Sequence, residues 1–390
     1  MSDALLPVFQ PATMLFEHGE GAWLTTVDGE RYLDFGAGIA VNSLGYSHPR
    51  LVAALEHQGR KLWHLSNVYR IRDSERLAER MTAACFADVV FFANSGAEAN
   101  ECAIKIARRY QHACGRPERW RIVTFEGAFH GRTLATMAAG GNPKYLEGFG
   151  PVVDGFDQCR LEDIEAVRSR IGPQTAAIMI EPIQGESGIR PVTHTFLHQL
   201  RELCDEHGLL LIFDEIQCGM GRTGFLLAHQ ETGVVPDIMS LPKGMGGGFP
   251  IGTCLATREA SRGMMPGSHG STFGGNPLAV AVANAVFDVV DDELLLAEVR
   301  RKGNLLRELL VDVAARFPSL IVEIRGRGLM LGIKTTRTSQ EIVDALRARG
   351  KVLTIPAGDN VTRVLPPLIV TDEEIRLFAG RLEATLAEVA

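Results

Sequence analysis

Apolar residues fall into two rhythms along this chain. Short, mostly apolar runs at 89–92, 121–125, 176–180, 209–213 and 238–241 have the length and flanks of buried strands. Between them the spacing turns helical. Positions 99, 103, 106, 107 and 110 keep one apolar face, and 196–207 reads as a second helix. Residues 252–256 would add a strand. Strands alternating with helices predict a mostly parallel sheet covered on both faces. The rhythm changes after Pro277. Helices are expected at 278–290 and 294–315, and short strands at 321–324, 329–333, 352–355 and 361–365. Thr371 and Glu374 form a capping box for a closing helix. Near the start, 23–27 and 30–35 flank Asp28-Gly29 as a β-hairpin, preceded by an arm at 1–19. The expected division is an arm and hairpin at 1–45, a large α/β unit at 46–276 and a small α+β unit at 277–390, with the hairpin joining the small unit.

Composition narrows the function classes. The 390 residues carry a net charge of −7 with both signs interspersed, so no basic footprint for nucleic acid appears, and no basic run suggests a membrane surface. The seven cysteines are scattered without a C-x-x-C pair, which fits a reducing compartment. No signal peptide and no apolar run long enough to span a bilayer is seen. A cytoplasmic protein is expected.

Candidate chemistry sits where strands end. The run 209–213 leads into Asp214 and Glu215, and 238–241 leads into Pro242-Lys243 and a glycine-rich loop. In a parallel sheet the carboxyl ends of strands face one crevice. A carboxylate and a lysine there suit a cofactor with a basic ring nitrogen and an aldehyde. Of the seven lysines, Lys243 alone lies between a core strand and clustered glycines. Asn94-Ser95-Gly96-Ala97 joins a strand to a helix N-terminus, which suits a phosphate, and Ser271-Thr272 would add hydroxyls. Phe129 would stack on a ring. Arg132 and Arg363 are candidates for binding carboxylates, and Glu186 could pair with an arginine in their absence. His194 and His198 lack a third ligand, so no metal site is expected. Gly219 to Gly224 matches G-x-G-x-x-G, which keeps an NAD-dependent dehydrogenase as the reading from a different class. A non-catalytic cofactor binder is a third.

Assembled, these motifs resemble the class III (ornithine-type) pyridoxal-phosphate aminotransferases, and within them the branch acting on N-acetylornithine. The resemblance runs through GAGIAVNSLGYSHP, FFANSGAEANECAIKIAR, AFHGRTL, PKYLEGFGP, EPIQGESG, LIFDEIQCGMGRTG, KGMGGGFPIG, GSHGSTFGGNPLA and RGRGLMLGI. It implies a fold-type I homodimer with shared active sites and pyridoxal 5'-phosphate bound to Lys243. Asp214 would meet the ring nitrogen and Gln217 the ring hydroxyl. Ile216 and Phe129 would sandwich the ring. Ser95, Gly96 and Ala97 would hold the phosphate, joined by Thr272 from the other subunit. Arg132 would grip the α-carboxylate with Ser271 nearby, and Arg363 would receive that of glutamate once released by Glu186. The implied reaction moves the δ-amino group of N-acetylornithine to 2-oxoglutarate. Succinylornithine, ornithine and other ω-amines remain alternative donors. Two residues depart from the usual pattern: Pro242 where alanine is common, and Ser187 where glycine is common.

Overall fold

The computed structural model describes residues 4–241 and 243–389, so Pro242 lies outside the described residues. A seven-stranded sheet forms its centre. Its strands run in the order Val89–Ala93, Gly252–Ala256, Ile238–Leu241, Leu210–Asp214, Thr175–Ile180, Arg121–Phe125 and Phe156–Cys159. All neighbours are parallel except those of Gly252–Ala256, which is antiparallel to both strands beside it.

The unbroken apolar runs follow from burial on both faces. Every residue of Leu210–Asp214 and Thr175–Ile180 is buried. Leu211 and Phe213 pack into one cluster with Phe196, Leu200 and Leu203 of the helix His194–His207. Leu210 and Ile212 face the opposite way, toward Ala103, Ile106 and Ala107 of the helix Gly96–Ala113. The period-two pleat thus splits one apolar run between two cores.

Other elements differ from the sequence reading. Phe16–Glu20, expected within the arm, is a strand paired antiparallel with Trp23–Thr26. The edge strand Phe156–Cys159 was not foreseen, because FDQC carries too few apolar residues to stand out. After Gly224 the chain forms a single helical turn, His229–Thr232. Arg31–Asp34 pairs parallel with Val352–Leu353, so the ends of the chain meet in one small sheet. A second small sheet contains Ile321–Arg327, Met330–Thr335, Val361–Val364 and Ile355–Pro356. The Thr371–Glu374 capping box forms with both reciprocal bonds, at 2.9 and 3.2 Å. Among the described residues no helix is long and apolar enough to cross a membrane.

Candidate active site

At the carboxyl edge of the central sheet, five strand ends deliver Asn94, the 126–132 loop, Glu181, Asp214 and Lys243 to one place. They surround a cavity of about 420 Å³, lined by Ser95, Gly96, Ala97, Phe129, Arg132, Ile216 and Lys243 among others. Small-ligand sites fall within roughly 300–1,000 Å³.

Ser95 caps the eighteen-residue helix Gly96–Ala113 through the Glu98 amide. Among the described residues nothing accepts from the amides of Gly96 and Ala97, so two N–H groups and the helix dipole are free for an anion. Gly252 underlies this turn. A Cβ there would sit 2.3 Å from the Ser95 carbonyl oxygen, so any side chain would displace the cradle.

Asp214 is 2 % exposed. Its Oδ2 accepts from Asn100 Nδ2 at 2.8 Å and lies 2.7 Å from His130 Nδ1, and its Oδ1 accepts from the Ile216 amide at 3.0 Å. Asn100 Nδ2 also donates to the His130 carbonyl at 2.8 Å. The anion-binding helix and the carboxylate are therefore tied through one side chain. Burial opposes a charge on His130, but the Asp214 bond and the charges of Asp214 and Glu181 outweigh it and raise its pKa. Glu215, one residue on, serves the fold instead. It accepts from the His229 amide at 2.8 Å and meets His229 Nδ1 at 2.9 Å.

Glu181 is buried and accepts from the Phe129 amide at 2.8 Å and the Gly185 amide at 3.4 Å. Burial, reinforced by Asp214, pushes its carboxyl up to about 7. Lys243 adopts φ +44°, a left-handed conformation that stores strain in a non-glycine residue. Burial, helped by Arg363, brings its ammonium down to about 8, against the pull of Glu181, Asp214 and Glu186.

The other end of the site is a chain of charges. Arg132 lies 3.8 Å over the Tyr145 ring and 5.6 Å from that of Phe129. Tyr145 Oη lies 3.4 Å from Glu186 Oε1, and Glu186 Oε2 is 3.0 Å from Arg363 Nη1. Arg363 is 2 % exposed. Its Nη2 donates to the Pro356 carbonyl at 2.9 Å, and its Nε is buried without a partner among the described residues. A buried arginine with a donor in reserve can take a carboxylate in place of Glu186.

Ser95, Gly96, Ala97, Phe129, Arg132, Ile216 and Lys243 share the cavity; Asp214 contacts it through Ile216 and His130. Gln217 packs against Gly185, and its Oε1 is buried without a partner among the described residues. Ser271 and Thr272 line a neighbouring concavity rather than this one, and Ser271 Oγ accepts from Asn94 Nδ2 at 3.2 Å. Within one chain Ser271 is thus placed beside Asn94 and not in the cavity with Arg132. The sequence reading missed Asn100, His130, Tyr145 and Glu181. All four lie inside the quoted motifs, and their polarity beside apolar runs was the available signal.

An anion cradle, a buried carboxylate, a strained lysine and an unpartnered amide oxygen fit the phosphate, ring nitrogen, aldehyde and hydroxyl of pyridoxal phosphate. The comparisons agree. The model of the class-III aminotransferases matches residues 8–386. The acetylornithine aminotransferase of Mesorhizobium japonicum is 60% identical over 98% of this chain and 95% of its own. The crystal structure of N-acetylornithine aminotransferase from Stenotrophomonas maltophilia superposes with a TM-score of 0.85 at 40% identity, covering 97% of each chain. Ornithine aminotransferase from Toxoplasma gondii, in a structure with partial occupancy of pyridoxal phosphate at its active site, gives 0.94 at 33%, covering 99% of this chain and 92% of that one. This chain belongs to the class-III aminotransferases, which use pyridoxal phosphate.

Proposed function

We propose that the protein transfers the δ-amino group of N-acetylornithine to 2-oxoglutarate, giving N-acetylglutamate semialdehyde and glutamate. The observation that carries this reading is the buried Arg363 held by the partly exposed Glu186. One site must accept an amine donor without a second free carboxylate and then a dicarboxylate. A removable carboxylate on a buried arginine provides for both. The 60% identity to an acetylornithine aminotransferase favours this donor over ornithine.

Pyridoxal phosphate, when bound, supplies an aldehyde that takes up the amino group and a protonated ring that stabilises charge at the adjacent carbon. Ser95, Gly96 and Ala97 would hold its phosphate, and Phe129 and Ile216 the ring faces. Asp214 would keep a proton on the ring nitrogen through a charge-assisted bond, and Gln217 would meet the ring hydroxyl. Lys243 would be displaced by the donor and, with its lowered pKa, take up and return the proton at the reacting carbon. Arg132 would orient the donor's α-carboxylate. Arg363 would bind that of glutamate after Glu186 swings away.

Ser271 and Thr272 would act across a homodimer interface, which the exposed Trp63, Val68, Tyr69 and Phe273 favour. Residues 46–276 would form the cofactor-binding unit, with 1–45 and 277–390 as the smaller one, in a cytoplasmic enzyme. The visible spectrum of the loaded protein tests the reading. N-acetylornithine should remove the yellow band and 2-oxoglutarate restore it. A band that persists with N-acetylornithine but disappears with ornithine or 4-aminobutyrate would replace the donor.

A further inference from the structure

A second cavity, about 430 Å³, lies beyond the Arg132–Tyr145–Glu186 chain. Its walls include Asn142, Lys144, Tyr145, Glu186, Ser187 and the backbone of Pro356 to Gly358. Tyr145 and Glu186 thus face it on one side and bond to the reaction site on the other. We propose that this polar chamber receives the N-acyl group of the donor, and that Lys144 allows the acyl group to end in a carboxylate. The inference rests on the proposed N-acylornithine activity.

The donor's own connectivity leads to the chamber. Its δ-amino group must reach Lys243 and its α-carboxylate Arg132. The acyl nitrogen is attached to the same carbon as that carboxylate, so the acyl group must begin beside Arg132. Tyr145, stacked under Arg132, is also a wall of the chamber. An acetyl or a succinyl group fits with room to spare.

The charges are arranged for an anion. Lys144 is exposed, and among the described residues its ammonium has no acidic partner. Asp359, also on the wall, is already neutralised by Lys334 at 2.8 Å and Arg325 at 2.7 Å. Glu186 is held by Arg363. A succinyl carboxylate entering here would therefore meet one free cation and two compensated acids. Asn142 fixes the backbone of Lys144 at the chamber wall, since its Oδ1 accepts from the Lys144 amide at 3.0 Å.

The test compares kcat/KM for N-succinylornithine and N-acetylornithine in the loaded wild-type enzyme and in Lys144→Arg, Lys144→Met and Lys144→Glu. The succinyl-to-acetyl ratio should hold in Lys144→Arg, fall about two- to five-fold in Lys144→Met, and fall further in Lys144→Glu, as expected for a solvated ion pair. Lys144 is at the surface, so the variants should fold. A ratio unchanged across the series, or an equal loss for both donors, would overturn the chamber while leaving the proposed activity intact. A wild-type enzyme that turns over neither acylated donor yet uses ornithine would overturn both, and is recognised before any variant is made.

Discussion

The two ends of the active site handle charge in opposite ways. At the end proposed for the ring nitrogen, Asp214 is buried and bonded by Asn100, His130 and the Ile216 amide. Nothing there has to move. At the end proposed for substrate carboxylates Glu186 is partly exposed, and Arg363 Nε has no partner among the described residues. A fixed charge suits a group that stays through both half-reactions, because preorganised dipoles need no rearrangement as charge develops. An exchangeable pair suits ligands that alternate. The buried arginine would be costly if left bare, and in the proposed cycle Glu186 would occupy it between substrates.

Breaking the fixed end should cost most. Asp214→Ala is expected to lower both half-reactions by about 10²–10⁴-fold, the range for losing a positioned group that controls a proton. Rapid-mixing spectra with each substrate would measure it. Equal rates in wild type and variant would remove Asp214 from the mechanism. Breaking the exchangeable end should be lopsided. Glu186→Ala leaves Arg363 open, so the reaction with 2-oxoglutarate should persist while that with N-acetylornithine falls by about ten-fold or more. Equal losses in both would mean that Glu186 is not a gate.

The two ends were also unequally legible in the sequence. Lys243, Asp214 and Ser95 stand at the boundaries of apolar runs, and a parallel sheet places such boundaries on one edge whatever the details of packing. Asn100 and His130 gave no comparable signal. They are 114 and 84 positions from Asp214, and one lies within a helix while the other lies in a loop. Their meeting depends on the order of the strands, which no local pattern encodes. The same holds for Phe16–Glu20, whose strand state comes from its partner Trp23–Thr26 rather than from its own residues.

A milder perturbation sharpens the comparison through Asn100. Asn100→Ala removes one bond to Asp214 and leaves those from His130 and Ile216. The loaded enzyme should keep its fold and bind pyridoxal phosphate several-fold more weakly, with the pH at which its visible spectrum changes displaced. A purely structural role would lower thermal stability without moving that pH. Lys243 gives a related pH test. Capture of an aldehyde needs the free amine, and burial brings this amine to about 8. The rate at which the cofactor-free protein takes up pyridoxal phosphate should therefore rise with pH with its midpoint near 8, instead of near the ordinary lysine value of 10.5.

Glu181 carries the smallest expected effect, and it concerns the cost of the fixed end. Its carboxyl rises from 4.5 to about 7 because burial and Asp214 penalise the charged form. Below pH 4.5 the acid is neutral in folded and unfolded chains alike, so it exerts no penalty. Between 4.5 and 7 the unfolded chain releases this proton while the folded one retains it, so folding loses stability as pH rises; above 7 the loss is complete. Glu181→Gln removes the charge but keeps an oxygen for the Phe129 amide. In the cofactor-free protein the variant should therefore melt a few degrees above wild type at pH 8, with the gap closing toward pH 4.5. Wild type melting higher at pH 8 would mean that the ionised carboxylate, through its bonds to Phe129 and Gly185, stabilises the loop more than its burial costs.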